Sequence, residues 1–252
     1  MLRREEPAPM GVTDRLHRAH LRLLLLFTLM VMCGFAFPQV IWISHVGYTL
    51  IALLLTQAMV GGNKGRLWIN QIYRTLGLVA VVSLWLWLLT PLDLIYSGIP
   101  MALDWSILVG WSVIRLVKRL ADEPRVNSSL LMGATAGYLH IGLAAGLVMS
   151  AVETIIPNSF EPLALEQLSH ESVLAAAKSF STINYYAFVC LTTVGFGDIT
   201  PMQPLSRMLS VLTSISGPLY LAVVMGVLIG RYASSLDRKE RTSPVSDEGP
   251  TD

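Results

Sequence analysis

Residues 192–198 read Thr192-Thr193-Val194-Gly195-Phe196-Gly197-Asp198. Glycines at alternate positions admit dihedrals that a side chain disfavours, so successive carbonyls can turn toward one axis. Rings of such carbonyls, one from each of several copies, replace the water around a desolvated cation. Thr193 adds a hydroxyl to its carbonyl and would form the innermost site. Val194 and Phe196 would point outward, into packing that holds the ring diameter. Asp198 is either a mouth carboxylate that concentrates cations or a structural acceptor for neighbouring amides. This is coordination without covalent chemistry. No metal-ligand cluster and no nucleophile–base constellation stands in the sequence, which argues against an enzyme.

A strand of this kind needs an element to aim it. Thr182 to Leu191 is aromatic and apolar and predicts a short helix capped by Ser179 or Ser181. Before it, 153–178 reads as a mixed loop with a surface helix at 164–178. A half-length helix followed by a glycine-rich strand predicts a re-entrant loop, tolerated at membrane depth only where it lines a cavity or is buried in protein. One loop per chain needs copies from neighbouring chains to close a ring. Four such helices would aim their negative C-terminal ends at a central cavity, which favours a cation.

The remainder reads as the membrane scaffold for that loop. Of 252 residues, 53% are hydrophobic and only 14% charged, and the mean hydropathy is +0.58. So little charge cannot cover a soluble fold. The net charge of +1 gives no reason to expect nucleic acid, and Cys33 and Cys190 read as packing residues rather than a disulfide framework. Leu21 to Phe37 resembles the apolar core of a signal peptide. No cleavage site follows it, so this first span is expected to stay on the protein.

Apolar segments at 21–38, 43–61, 73–90, 101–120, 127–152 and 206–232 predict six spans, with ends at Pro38, Gly61-Gly62 and Pro91. Threading them places all but Lys178 and Arg207 of the eighteen Lys and Arg residues on one side. That side is cytoplasmic and holds both termini. The outer face is acidic, with Asp93, Glu153, Glu161, Glu166, Glu171 and Asp198. The expected fold is an all-α integral membrane protein of six transmembrane helices, with a pore helix and filter between spans five and six. Its parts are a tail at 1–20, a four-helix peripheral domain at 21–120, a linker at 121–126, a pore domain at 127–232 and a tail at 233–252.

The stretch from Tyr185 through Thr193-Val194-Gly195-Phe196-Gly197-Asp198 to Pro201 closely resembles the pore helix and selectivity filter of tetrameric potassium channels. Thr193 to Gly197 matches the commonest filter pentapeptide of that superfamily, with phenylalanine in place of tyrosine. Pro218 to Val224 looks like the inner helix of small prokaryotic channels. The resemblance covers about 127–232, and spans one to four resemble the family only in number and placement. It implies potassium as permeant ion, coordinated by Thr193, Val194, Gly195 and Phe196, with Thr192 and Asp198 flanking the filter. It also implies a homotetramer of this chain with three identical subunits, embedded in membrane lipid in a prokaryotic plasma membrane, with no cofactor.

Departures from the family pattern fall at three positions. Phe196 keeps the backbone but lacks the phenolic donor that anchors the strand. Val189 stands where some relatives carry a buried glutamate that braces the aspartate. Tyr185 and Tyr186 occupy places where many relatives carry tryptophans, so their hydroxyls are candidates for other anchors.

Gly217-Pro218 interrupts the last span, as a static kink or as a gating hinge. Gly217 matches the proposed hinge glycine of relatives with two spans. Met101 to Ile114 contains no basic residue, so span four lacks the charge pattern of a voltage sensor. Arg115, Lys118 and Arg119 cluster at its inner end, as snorkelling and the positive-inside bias explain. Gly133, Gly137, Gly142 and Gly146 permit close packing of span five against the pore helix or span six. His140 between them is either a neutral, hydrogen-bonded core residue or a pH-sensitive group.

The short linker at 121–126 favours peripheral helices packed beside their own pore domain. About twenty polar residues after span six leave no room for a regulatory domain. Two other functions remain open: a weakly selective monovalent cation channel, which would loosen the Phe196 filter, and a potassium transporter subunit. The transporters resemble four fused pore repeats, often with one filter glycine each, whereas this chain has one loop with two.

Overall fold

The computed structural model describes residues 12–37, 42–58, 67–89, 94–122, 128–163 and 173–241. Within them run α1 (Val12–Ala36), α2 (Trp42–Ala58), α3 (Leu67–Leu89), α4 (Leu94–Asp122), α5 (Ser128–Ile155), β1 (Phe160–Glu161), α6 (Val173–Leu191), β2 (Thr200–Pro201), α7 (Pro204–Tyr220), a π-helical segment (Leu221–Met225) and α8 (Gly226–Arg241). The last three are continuous. Ser129–Ile155 and Pro204–Arg231 are long and apolar enough to cross a membrane, and shorter apolar stretches lie at Ala19–Phe35, Trp42–Thr56 and Gln71–Leu86. The helices follow the expected segments but overrun most of them. The expected breaks at Pro38, Gly61-Gly62 and Pro91 lie outside the described residues.

The first four helices pack in sequence, α1 on α2, α2 on α3 and α3 on α4, and α1 and α4 also pack on α5. In α1, Leu21, Leu24, Thr28 and Val31 are buried while Leu23, Leu26 and Leu29 are exposed, the 3.6-residue stripe of a helix with one inward face. Glycines set the closest approaches. Gly34 lies against Ser44 and Gly47 against Val31, which seats α1 on α2; Gly133 receives the Leu21 side chain, which seats α1 on α5. Polar ties join the other helices. The Trp105 indole donates to the Ala80 carbonyl at 2.9 Å, and the Tyr73 hydroxyl pairs with Ser112. The Arg115 guanidinium sits over the Tyr73 ring, 4.9 Å from its centroid. This core is continuous with that of α5, to which both α1 and α4 pack within the same chain.

One expectation is corrected. A surface helix at 164–178 and a separate helix at 182–191 were expected, with a cap at Ser179 or Ser181. Instead Val173–Leu191 is a single helix of 19 residues, about 28 Å long. Residues 164–172 lie outside the described residues. Val173 to Lys178 contains three consecutive alanines, strong helix formers, and nothing between 178 and 182 breaks the run. Ser181 does not cap; its hydroxyl donates to the Phe35 carbonyl of α1 at 2.6 Å.

Candidate functional site

α6 aims residues 192–198, and α5 and α7 hold α6. Along α5, Gly146 lies against Asn184 and Gly142 against Phe188, so α6 runs antiparallel to α5 down a glycine groove. At its C-terminus, a Cβ added at Gly217 would fall 1.9 Å from the Leu191 carbonyl oxygen. The Tyr138 hydroxyl approaches the same oxygen at 3.4 Å. Gly217 stands near the middle of the Pro204–Arg231 helix, so α6 ends at about half its depth.

The helix ends in a defined motif. The Val194 N–H donates to the Val189 carbonyl at 3.1 Å and the Thr193 N–H to the Cys190 carbonyl at 2.9 Å, the two bonds of a Schellman cap. That cap requires a left-handed residue at Thr193, whose φ is 58°. Glycine usually takes the position. A β-branched residue is strained there by about 1–2 kcal/mol. Gly195 and Gly197 follow at φ 58° and 77°, with Val194 and Phe196 between them outside the left-handed region. Every second residue is therefore left-handed. In an ordinary strand carbonyls point to alternate sides; alternating handedness turns them to one. The two glycines were expected to supply this freedom. The third left-handed position, Thr193, was not anticipated, although it continues their spacing.

Residues 192–198 are exposed in the single chain, with Phe196 at 68% and Val194 at 53%. Val189 is buried, and Thr192 returns its hydroxyl to the Phe188 carbonyl at 2.8 Å. Asp198 accepts the Tyr185 hydroxyl at 2.8 Å and the Ile199 N–H at 3.1 Å. The Tyr186 hydroxyl donates to Ser210 at 2.8 Å, and Ser210 donates to the Ser206 carbonyl at 2.8 Å, tying α6 to α7. Both tyrosines thus anchor the segment, as their hydroxyls allowed. A small core of Met149, Val152, Phe160, Ile183, Tyr186 and Ile199 backs it.

The turns between α5 and α7 are laced by groups that the sequence reading placed only on an acidic face or did not single out. β1 and β2 pair antiparallel, Phe160 opposite Pro201 and Glu161 opposite Thr200. The Glu153 carboxylate accepts the N–H groups of Asn158, Ser159 and Phe160 at 2.9–3.0 Å, closing the turn in which Asn158 is left-handed. The Ser159 carbonyl accepts both the Ser206 hydroxyl and the Met202 N–H at 2.8 Å. Glu153 therefore acts as a clamp for backbone amides. No periodicity marks such a role, because its partners are main-chain groups.

Deeper in the helices, His140 is buried, with Nδ1 2.6 Å from the Ala136 carbonyl, to which it donates within its own helix. Among the described residues its Nε2 has no hydrogen-bond partner. Pro218 lies inside α7, and the Tyr220 hydroxyl donates to the Ala134 carbonyl of α5 at 2.7 Å. No group of three or more His, Cys, Asp or Glu that could hold a metal occurs among the described residues.

The model of an ion channel family matches residues 143–233, from mid-α5 to mid-α8. A Rhodopseudomonas palustris protein whose name proposes a potassium channel is 24% identical over 165 residues, covering 64% of this chain. The chain spans about a third of that relative's length, 35%. No solved structure matches at a significant level. The helix-capped segment at 192–198 lies inside the matched region, and the two matches together support membership of the potassium channel superfamily.

Proposed function

We propose that this chain is the subunit of a homotetrameric, passive, potassium-selective channel of the cell membrane. Six spans carry it, α6 serves as pore helix and Thr193 to Gly197 as filter. The observation that carries this reading is the alternation of left-handed backbone at Thr193, Gly195 and Gly197, at the end of a helix that stops halfway along a membrane-length helix. Carbonyls turned to one side are what a dehydrated cation needs, and a ring requires three further copies. The exposed apolar faces of Val194, Phe196 and α7 suit contact with those copies. Basic residues held at the inner end of α4 give no charge to move through the field, so the gate lacks steep voltage dependence.

The test is reconstitution into liposomes, with subunit counting and reversal potentials under opposed potassium and sodium gradients. Four subunits per particle and strong preference for potassium are expected. A protein that never forms a four-chain state would sink the proposal. A second reading, a weakly selective cation channel, is favoured by one observation: Phe196 has no hydroxyl to pin the strand. Equal permeabilities would select it.

A further inference from the structure

We propose that the moving joint of the last helix is the π-helical segment Leu221–Met225, and that it works by changing between π and α geometry. The inference rests on the channel reading above but concerns a different part of the chain. Gly217 is held against the Leu191 carbonyl with no room for a methyl group, and Tyr220 is bonded to Ala134 of α5. The helix is fixed to its neighbours as far as Tyr220. Immediately below, no residue from Leu221 to Met225 is fully buried; Leu221, Ala222 and Val223 are exposed, and only Val224 and Met225 rest half-buried on the main core.

The hydrogen bonding changes at the same place. Pro218 supplies no N–H, the Leu221 N–H is shared between the Gly217 and Pro218 carbonyls, and the Gly226 N–H reaches the Leu221 and Val223 carbonyls. A π segment holds one residue more than the α turn it replaces, and such bulges recur at functional sites. At Gly226 and Gly230 a Cβ would meet almost nothing of the same chain, so no neighbouring helix of this subunit blocks a turn there.

Returning Leu221–Met225 to α geometry rotates α8 by one residue, about 100°, and shifts it by about 1.5 Å. The consequence is specific. Leu228 is 3% exposed and belongs to the main core, while Val227 is 55% exposed. After the change Val227 takes the position of Leu228, and Leu228 turns outward. The surface that the lower helix presents to the pore is exchanged without disturbing Gly217, Leu191 or the filter.

The experiment uses the full chain in liposomes, in a Cys33→Ser background that leaves the buried Cys190 in place. V227C and L228C are compared for reaction with a membrane-permeant maleimide, alongside single-channel recording. In the parent the thiol at 227 reacts faster. Val223→Ala with Val224→Ala removes two β-branched residues and favours α geometry; it inverts the order and shifts open probability. Deletion of Val223 removes the extra residue, so the order stays as in the parent and transitions between open and closed are lost. An unchanged thiol order with unchanged open probability in the double alanine variant overturns the proposal, as do parental transitions in the deletion. The thiol order reads the joint even in a protein that passes no ions, so failure of the channel reading is recorded separately.

Discussion

The region around residues 192–198 and the C-terminal part of the last helix are built on opposite principles. Among the described residues of 153–163 and 185–210, directed hydrogen bonds tie the turns and helices together: Glu153 accepts three amides, Tyr185 bonds Asp198, Tyr186 bonds Ser210 and Ser206 bonds Ser159. From Leu221 onward the helix has a π-segment held only by Val224 and Met225 resting half-buried on the core, and no other element of the chain packs closely on Gly226 or Gly230. A filter must hold carbonyls against their mutual repulsion, which needs many bonds with fixed directions. A gate must have two arrangements of similar energy, which needs few.

Gly195→Ala tests the rigid side and carries the largest expected effect. At φ 58° an alanine is strained by about 1–2 kcal/mol, and a ring carries the change once per subunit. The strand would leave the alternating geometry, and potassium flux should fall to background with the oligomer intact. Wild-type flux would show that the left-handed carbonyl at this position is not a ligand.

Gly217→Ala tests where the boundary between the two regions lies. If Gly217 were only a hinge, alanine would stiffen it by about 0.5–1 kcal/mol and spare the filter. The structure puts the new methyl on the Leu191 carbonyl, so the helices must separate at a cost of about 1–3 kcal/mol. Both open probability and the potassium-to-sodium permeability ratio should change. A change confined to open probability would return the hinge to Gly217.

Glu153→Gln comes next. It keeps the shape and removes the charge from a carboxylate holding three amides, where bonds to a charged group are worth about 1.5–3 kcal/mol. The midpoint of thermal dissociation of the oligomer should fall by several degrees, with the permeability ratio unchanged. An unchanged midpoint would mean that the turn is held by Ser206 and the short β pairing alone.

Which features were legible in the sequence follows the same division. The apolar segments, the glycine pair at 195 and 197 and the two tyrosines leave marks in composition or spacing, whereas the interruption expected at Gly217-Pro218 is displaced: α7 runs through both residues to Tyr220, and the change of geometry comes at Leu221. The start of α6 was misplaced because two serines at 179 and 181 look like caps, whereas a hydroxyl reaching Phe35 on another helix satisfies one of them. The Glu153 clamp, the Schellman cap that makes Thr193 left-handed and the π-segment depend on main-chain groups brought together by the fold. Side-chain patterns do not encode those meetings, so the sequence was silent on them.

The smallest effect is expected at Tyr185→Phe, and it separates two meanings of Asp198. The hydroxyl of Tyr185 is at an exposed site, where water replaces a lost hydrogen bond and the cost to stability is small. Asp198 keeps the Ile199 amide, so the carboxylate stays at the mouth with its charge unchanged. If Asp198 acts mainly by concentrating cations, conductance at low potassium should be almost unaffected. If it acts as a tether for a strand that already lacks a hydroxyl at Phe196, the variant should lose conduction progressively as external potassium is lowered. Raising potassium should restore it, because bound ions hold the carbonyl ring open. The structure favours the tether, since α6 reaches the mouth through this bond, so slow, potassium-reversible loss of current is the expected result. A lowered conductance at every potassium concentration, without time dependence, would assign Asp198 to cation attraction instead.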